Sequence, residues 1–232
     1  MTAVAVSAAR LSRRSRLYFG AALGIAALVF AGFARSYYLR AFFSARHLTP
    51  LAHLHGLLMT GWILLFTIQA GLIRSGRVAV HRRLGVFGAA LAPAIVIIGS
   101  LTVAAGIHRR FPGVGLTRSA RIFVEFDGLS LWTFGALVLA AVLLRSRSDV
   151  HKRLMLCATV ALLPPAVGRI AEYLIPGSDW DLVIAAATTC AFALACALID
   201  TLRLGRLHPA TAWGTVAVLA ANLLTQLAQA GD

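Results

Sequence analysis

The chain has 232 residues, 59% of them hydrophobic and only 13% charged, with a mean hydropathy of +0.83. Soluble domains carry about 25% charge, so composition excludes an ordinary soluble enzyme and a disordered chain alike. The net charge of +14 is no nucleic-acid signal either, because the bases sit in short loops between apolar runs, as in a polytopic membrane protein.

A bilayer core about 30 Å thick needs roughly 20 apolar residues as a helix. Seven such runs are predicted, over residues 17–39, 52–73, 84–107, 122–144, 154–175, 182–202 and 211–228. The fold class expected is an all-α integral membrane protein with seven transmembrane helices. Residues 1–16 form a basic N-terminal segment, and residues 17–49 hold the first span, read as a retained signal anchor, with its outer loop. Residues 50–175 hold four core helices, and 176–232 hold two Ala-rich packing helices. With the N-terminus inside, 14 of the 22 basic residues fall on the inner side and 8 on the outer. That bias predicts a cytoplasmic N-terminus and an outer C-terminus. Lys152 is the one lysine, a bias that suggests a GC-rich bacterial genome and hence the bacterial inner membrane. Cys157, Cys190 and Cys196 all lie in apolar runs, which argues against a disulfide framework. No nucleophile elbow, HExxH, Walker loop or dinucleotide fingerprint appears.

The core contains a repeat. The segment RVAVHRRL (77–84) aligns without gaps on RSDVHKRL (147–154), seventy residues on. The same offset sets Trp62 on Trp132, Thr60 on Ser130 and His55 on Glu125. The hairpin of spans two and three therefore recurs as spans four and five, which predicts a pseudo-two-fold axis along the membrane normal. His81 and His151 become equivalent on the inner side. The same loops also suit a lipid-phosphate anchor used twice.

Helical rise separates the other candidates from that pair. From His55 to Ile73 is 18 residues, or ~27 Å at 1.5 Å per residue, so His55 and His81 lie on opposite sides. His55, Met59, Trp62, Phe66 and Gln69 recur at steps of four and three, forming one helix face. His53 lies off that face. On the outer side, His55, Glu125, Asp127, Arg169 and Glu172 are expected to gather in a polar pocket. Intramembrane charges are paired or functional, so the cluster suits proton-coupled chemistry or a purely structural ion-pair lock.

At HGLLM (55–59) and FTIQAGLIR (66–74), the sequence resembles the cytochrome b561 family. It is also similar to uncharacterised bacterial membrane proteins with HRxLG and HKRLM signatures, here HRRLG (81–85) and HKRLM (151–155). The resemblance spans about residues 50–175. It implies four core helices holding b-type haems by histidine pairs, with His81 and His151 as one pair and His55 as a ligand of another. Where that second pair needs a histidine on the fourth helix, this sequence has Glu125, so one haem is expected. Haem propionates are anionic, and Arg82, Arg83, Lys152 and Arg153 stand where they could meet them. The resemblance thus implies a membrane oxidoreductase or electron carrier, with lipids and a redox partner on either side and no nucleic acid. Zinc, copper or non-haem iron is the alternative cofactor, with His55 and Glu125 as a further metal site. A non-catalytic transport or assembly protein is the remaining alternative.

Overall fold

The computed structural model describes residues 3–43, 47–110, 118–178 and 180–230, with side chains described outside 3–15, 108–126 and 228–230. Every regular element among them is helical. Helix α1 (Ala3–Phe33) runs on into a π turn (Ala34–Tyr38), and a short α2 (Arg40–Phe43) follows. Then come α3 (Pro50–Arg74), α4 (Val78–Arg110), α5 (Arg118–Leu143), α6 (Ser148–Val160), α7 (Pro164–Leu174), α8 (Asp181–Leu204) and α9 (Pro209–Ala230).

Local chemistry sets the boundaries. Thr49 caps α3 by accepting the Ala52 N–H at 3.2 Å, with Pro50 in its first turn. Pro164 and Pro165 lack N–H donors, so the helix breaks between α6 and α7. Gly205, at φ +77°, closes α8 in the left-handed conformation that glycine tolerates best. His208 accepts the Ala210 N–H on Nδ1 at 3.1 Å and opens α9.

Six segments among the described residues are long and apolar enough to cross a bilayer: 16–38, 50–74, 78–107, 148–174, 181–204 and 209–227. The fifth predicted span is the broken pair α6–α7. The fourth predicted span falls on α5, whose described apolar part, Asp127–Leu143, is shorter.

Helix α3 packs between α1 and α4, α4 against α5, α5 against α6, and α1 closes the ring on α6 and α7. Helices α8 and α9 lie outside that ring, against α5, α6 and α7. At its centre Trp62 (α3) meets Phe134 (α5) edge-on, ring centres 4.7 Å apart, and the indole N–H donates to Thr159 Oγ1 (α6) at 3.4 Å.

These contacts correct the ungapped register. Trp62 is 1% exposed, but Trp132 is 59% exposed and reaches sideways to Ser100 Oγ. The residue equivalent to Trp62 is Phe134, 72 positions on. Asp127, Leu131, Phe134, Val138 and Ala141 repeat the inward stripe of His55, Met59, Trp62, Phe66 and Gln69 at that offset. The four named residues after Asp127 are all buried. The offset of 70 applies only beyond the basic loop, which is two residues shorter in the second copy.

One polar cluster ties the outlying helices to the ring. Asp200 (α8) accepts from Arg153 Nε at 2.7 Å and Nη2 at 3.0 Å, from Thr211 Oγ1 (α9) at 2.8 Å, and from Tyr18 (α1) at 3.2 Å. Arg153, itself 4% exposed, also donates from Nη1 to the Asp149 carbonyl. Removing one member of a buried pair strands the other charge, at about 3–5 kcal/mol. Asp200→Ala is therefore expected to lower the thermal unfolding midpoint sharply in detergent, whereas Arg153→Met with Asp200→Leu together should recover most of the loss. Equal destabilisation by the single and double variants would contradict that account.

Candidate functional site

The two ends of the helix ring hold different chemistry. At one end, His81 and His151 each occupy the fourth residue of a helix that follows a basic loop. The fold brings their rings together across the bundle, with centres 6.4 Å apart and planes 80° to one another. Nδ1 of His151 lies 2.8 Å from the Ala141 carbonyl oxygen. A carbonyl can only accept, so this nitrogen carries the proton and Nε2 keeps its lone pair. Nδ1 of His81 is buried without a hydrogen-bond partner, and so is Oε1 of Gln69.

The four basic residues expected around this pair divide. Arg82 and Arg83 are exposed beside His81. The Lys152 ammonium sits 5.3 Å above the Tyr18 ring. Arg153 is corrected: its guanidinium is held by Asp200, because α8 covers the second copy of the repeat and not the first. It is engaged in the buried cluster and is not a free partner for an anionic group.

At the opposite end, His55 lies against α4 at Gly99. A Cβ added to Gly99 would stand 3.3 Å from His55 Cε1 and 2.7 Å from Leu131 Cδ2. Nδ1 of His55 is likewise buried and unpartnered. Arg169 donates to the Pro165 carbonyl at 2.8 Å, covers the Phe33 ring at 4.4 Å, and lies within electrostatic range of both His55 and Asp127. Arg169 is the counterpart of Gly99 in the second copy. Where the first copy leaves room for an imidazole, the second sets a guanidinium near a carboxylate.

The other expected members of the pocket are placed differently. The counterpart of His55 is Asp127, not Glu125, and the Glu125 side chain lies outside the described residues. Glu172 is exposed and makes no ion pair among the described residues. His53 is exposed, with its carbonyl accepting from Tyr37 at 3.3 Å. No trio of His, Cys, Asp or Glu able to hold a metal ion occurs among the described residues. Sequence reading passed over Asp200 entirely, although a lone acid in an apolar run is itself a signal.

Among the described residues the fold is all-helical, with six segments long and apolar enough to cross a membrane, and His81 and His151 face one another at one end of the helix ring. Comparison with protein-family models, with curated proteins and with solved structures finds no match to the chain.

The close approach at Gly99 gives a direct test. Gly99→Ala is expected to displace His55 and Leu131 and to cost about 1–3 kcal/mol by overpacking, read as a lower unfolding midpoint. A midpoint equal to the wild type would contradict this packing.

Proposed function

We propose that this chain is a seven-span membrane electron-transfer protein that holds one b-type haem between His81 and His151. The observation that carries this reading is the 6.4 Å between the two ring centres. Two imidazoles that were to share one metal ion through bonds of ~2.0–2.1 Å would have ring centres within roughly 6 Å of one another, so His81 and His151 could hold one together. A porphyrin supplies four of six ligands, so two imidazoles suffice. A bare zinc ion draws at least three ligands from the protein, and the described residues offer no such trio. That count favours haem over the zinc, copper or non-haem iron alternative.

When bound, the haem supplies one-electron chemistry, with ligand type, burial and hydrogen bonding setting its potential. The chain's own residues do the rest. Ala141 fixes the ring orientation and tautomer of His151, an outer-shell contact typical of metal-bound histidines. Arg82, Arg83 and Lys152 supply positive charge for the propionates. Trp62, Phe134 and Thr159 fill the bundle beyond the site and keep water from crossing it. At the far end, among the described residues, no second imidazole faces His55 inside the ring, and His53 is exposed, so we propose no second bis-histidine haem. His55, Asp127 and Arg169 there form a polar group able to exchange protons with a redox partner.

The basic bias orients the His81 end, the N-terminus and the arginine-rich loops toward the cytoplasm of a bacterial inner membrane, with anionic lipids around them and the C-terminus outside. Protein purified from haem-replete cells should show a low-spin b-type spectrum at about one haem per chain. His81→Ala and His151→Ala should each abolish it while the chain stays folded. Colourless wild-type protein would overturn the reading, and a ratio near two would overturn the single site. A reporter fused after Asp232 should be active only outside the cytoplasm.

A further inference from the structure

His81 and His151 are equivalent in the repeat, but their ring nitrogens are not equally served. His151 has a short hydrogen bond from Nδ1 to the Ala141 carbonyl. In the corrected register the counterpart of Ala141 is Gln69, a residue with an acceptor on its side chain as well as on its backbone. The Gln69 backbone carbonyl also reaches toward the His81 ring as an acceptor, but not within the short bonding distance that Ala141 gives His151. The path from Gln69 to His81 is two residues longer than that from Ala141 to His151. His81 Nδ1 ends without a partner within bonding distance. Buried donors left unpaired are costly, and the Gln69 side-chain oxygen is the complementary group, a buried acceptor also without a donor. Room for its amide exists on α4. One turn beyond His81, and on the same face, stands Gly85, where an added Cβ would be 3.6 Å from Gln69 Nε2.

We propose that Gln69 is the positioning residue of His81: its Oε1 accepts the Nδ1–H proton, which fixes the tautomer and leaves Nε2 unprotonated as the ligating atom. The terminal torsion χ3 of glutamine is soft and broad, which lets the amide turn toward the ring. In the second copy the backbone of Ala141 alone performs this task, through its short hydrogen bond to His151. The two imidazoles are then prepared by different means for one centre. The proposal rests on reading His81 and His151 as joint ligands, but the tautomer it assigns belongs to the chain itself and needs no bound metal to be measured.

The test uses full-length protein with 15N-labelled histidine in lipid nanodiscs, prepared without added haem or metal. Long-range 15N–1H correlation separates the two imidazole tautomers, and His81→Ala and His151→Ala identify the signals. In wild type both rings should be Nδ1–H. In Gln69→Met, an apolar substitute of similar length, His81 should become mixed or Nε2–H while His151 stays Nδ1–H; Gln69→Glu keeps the acceptor and should retain the wild-type tautomer. Wild-type His81 protonated on Nε2, or a His81 tautomer unchanged in Gln69→Met, overturns the proposal. A Gln69→Met chain that fails to fold leaves the wild-type tautomer as the deciding measurement. In haem-loaded protein, loss of the hydrogen bond should make the His81 imidazole a weaker donor and raise the reduction potential of Gln69→Met above wild type. If wild-type protein binds no haem but the tautomer responds as stated, the haem reading fails and the role of Gln69 stands. If the haem spectrum is present but the tautomer does not respond, the haem reading stands and the role of Gln69 fails.

Discussion

Much of this architecture depends on one carboxylate. Asp200 lies near the end of an apolar helix and receives four hydrogen bonds, two of them from Arg153. Isolated, it would be a costly charge at membrane depth. Surrounded by a guanidinium, a hydroxyl and a phenol, it becomes the point at which α1, α6, α8 and α9 meet. The cluster breaks the symmetry of the repeat: Arg83 and Arg153 are equivalent in sequence, but Arg83 is exposed while Arg153 is buried against α8. A repeated segment has thereby acquired two different uses.

The same asymmetry runs through the ring interior. Phe134 stands opposite Trp62 and leaves the indole N–H to find Thr159. Gly99 opens space that Arg169 fills in the other copy. At each end of the bundle, then, equivalent positions carry unlike groups: an imidazole beside a glycine in one copy and a carboxylate near an arginine in the other, and two imidazoles of which only His151 has a short backbone hydrogen bond.

The buried polar groups differ in how far they are paired. Those of the Asp200 cluster are saturated with partners and lock helices together. Among the described residues, buried atoms without a hydrogen-bond partner occur on His81, Gln69 and His55 in the ring, on Ser36 in the π turn, and on Thr189 and Thr215 in α8 and α9. What sets the ring apart is that its three unpartnered groups include an imidazole at each end.

Composition and hydropathy alone determined the helical class and the positions of six of the seven expected apolar runs, because a helix long and apolar enough to cross a bilayer requires a long run whatever its neighbours are. The identical RxxVHxRL segments likewise marked His81 and His151 as a pair, since a short motif repeated at one offset preserves local position along a helix. The register of the preceding helices was not legible. An ungapped match through the loop brings Trp62 onto Trp132, and the two-residue difference in loop length emerges only when Phe134 is seen facing Trp62. For the same reason the partner of His55 read as Glu125 rather than Asp127. The fate of Arg153 was equally hidden, because it depends on Asp200, 47 residues away on a helix whose sequence looks like plain packing. Linear spacing fixes neighbours within a helix, where every residue advances the same angle and rise. Which helices face one another, and hence which charges cancel and which imidazoles meet, is decided by packing between segments that no local period encodes.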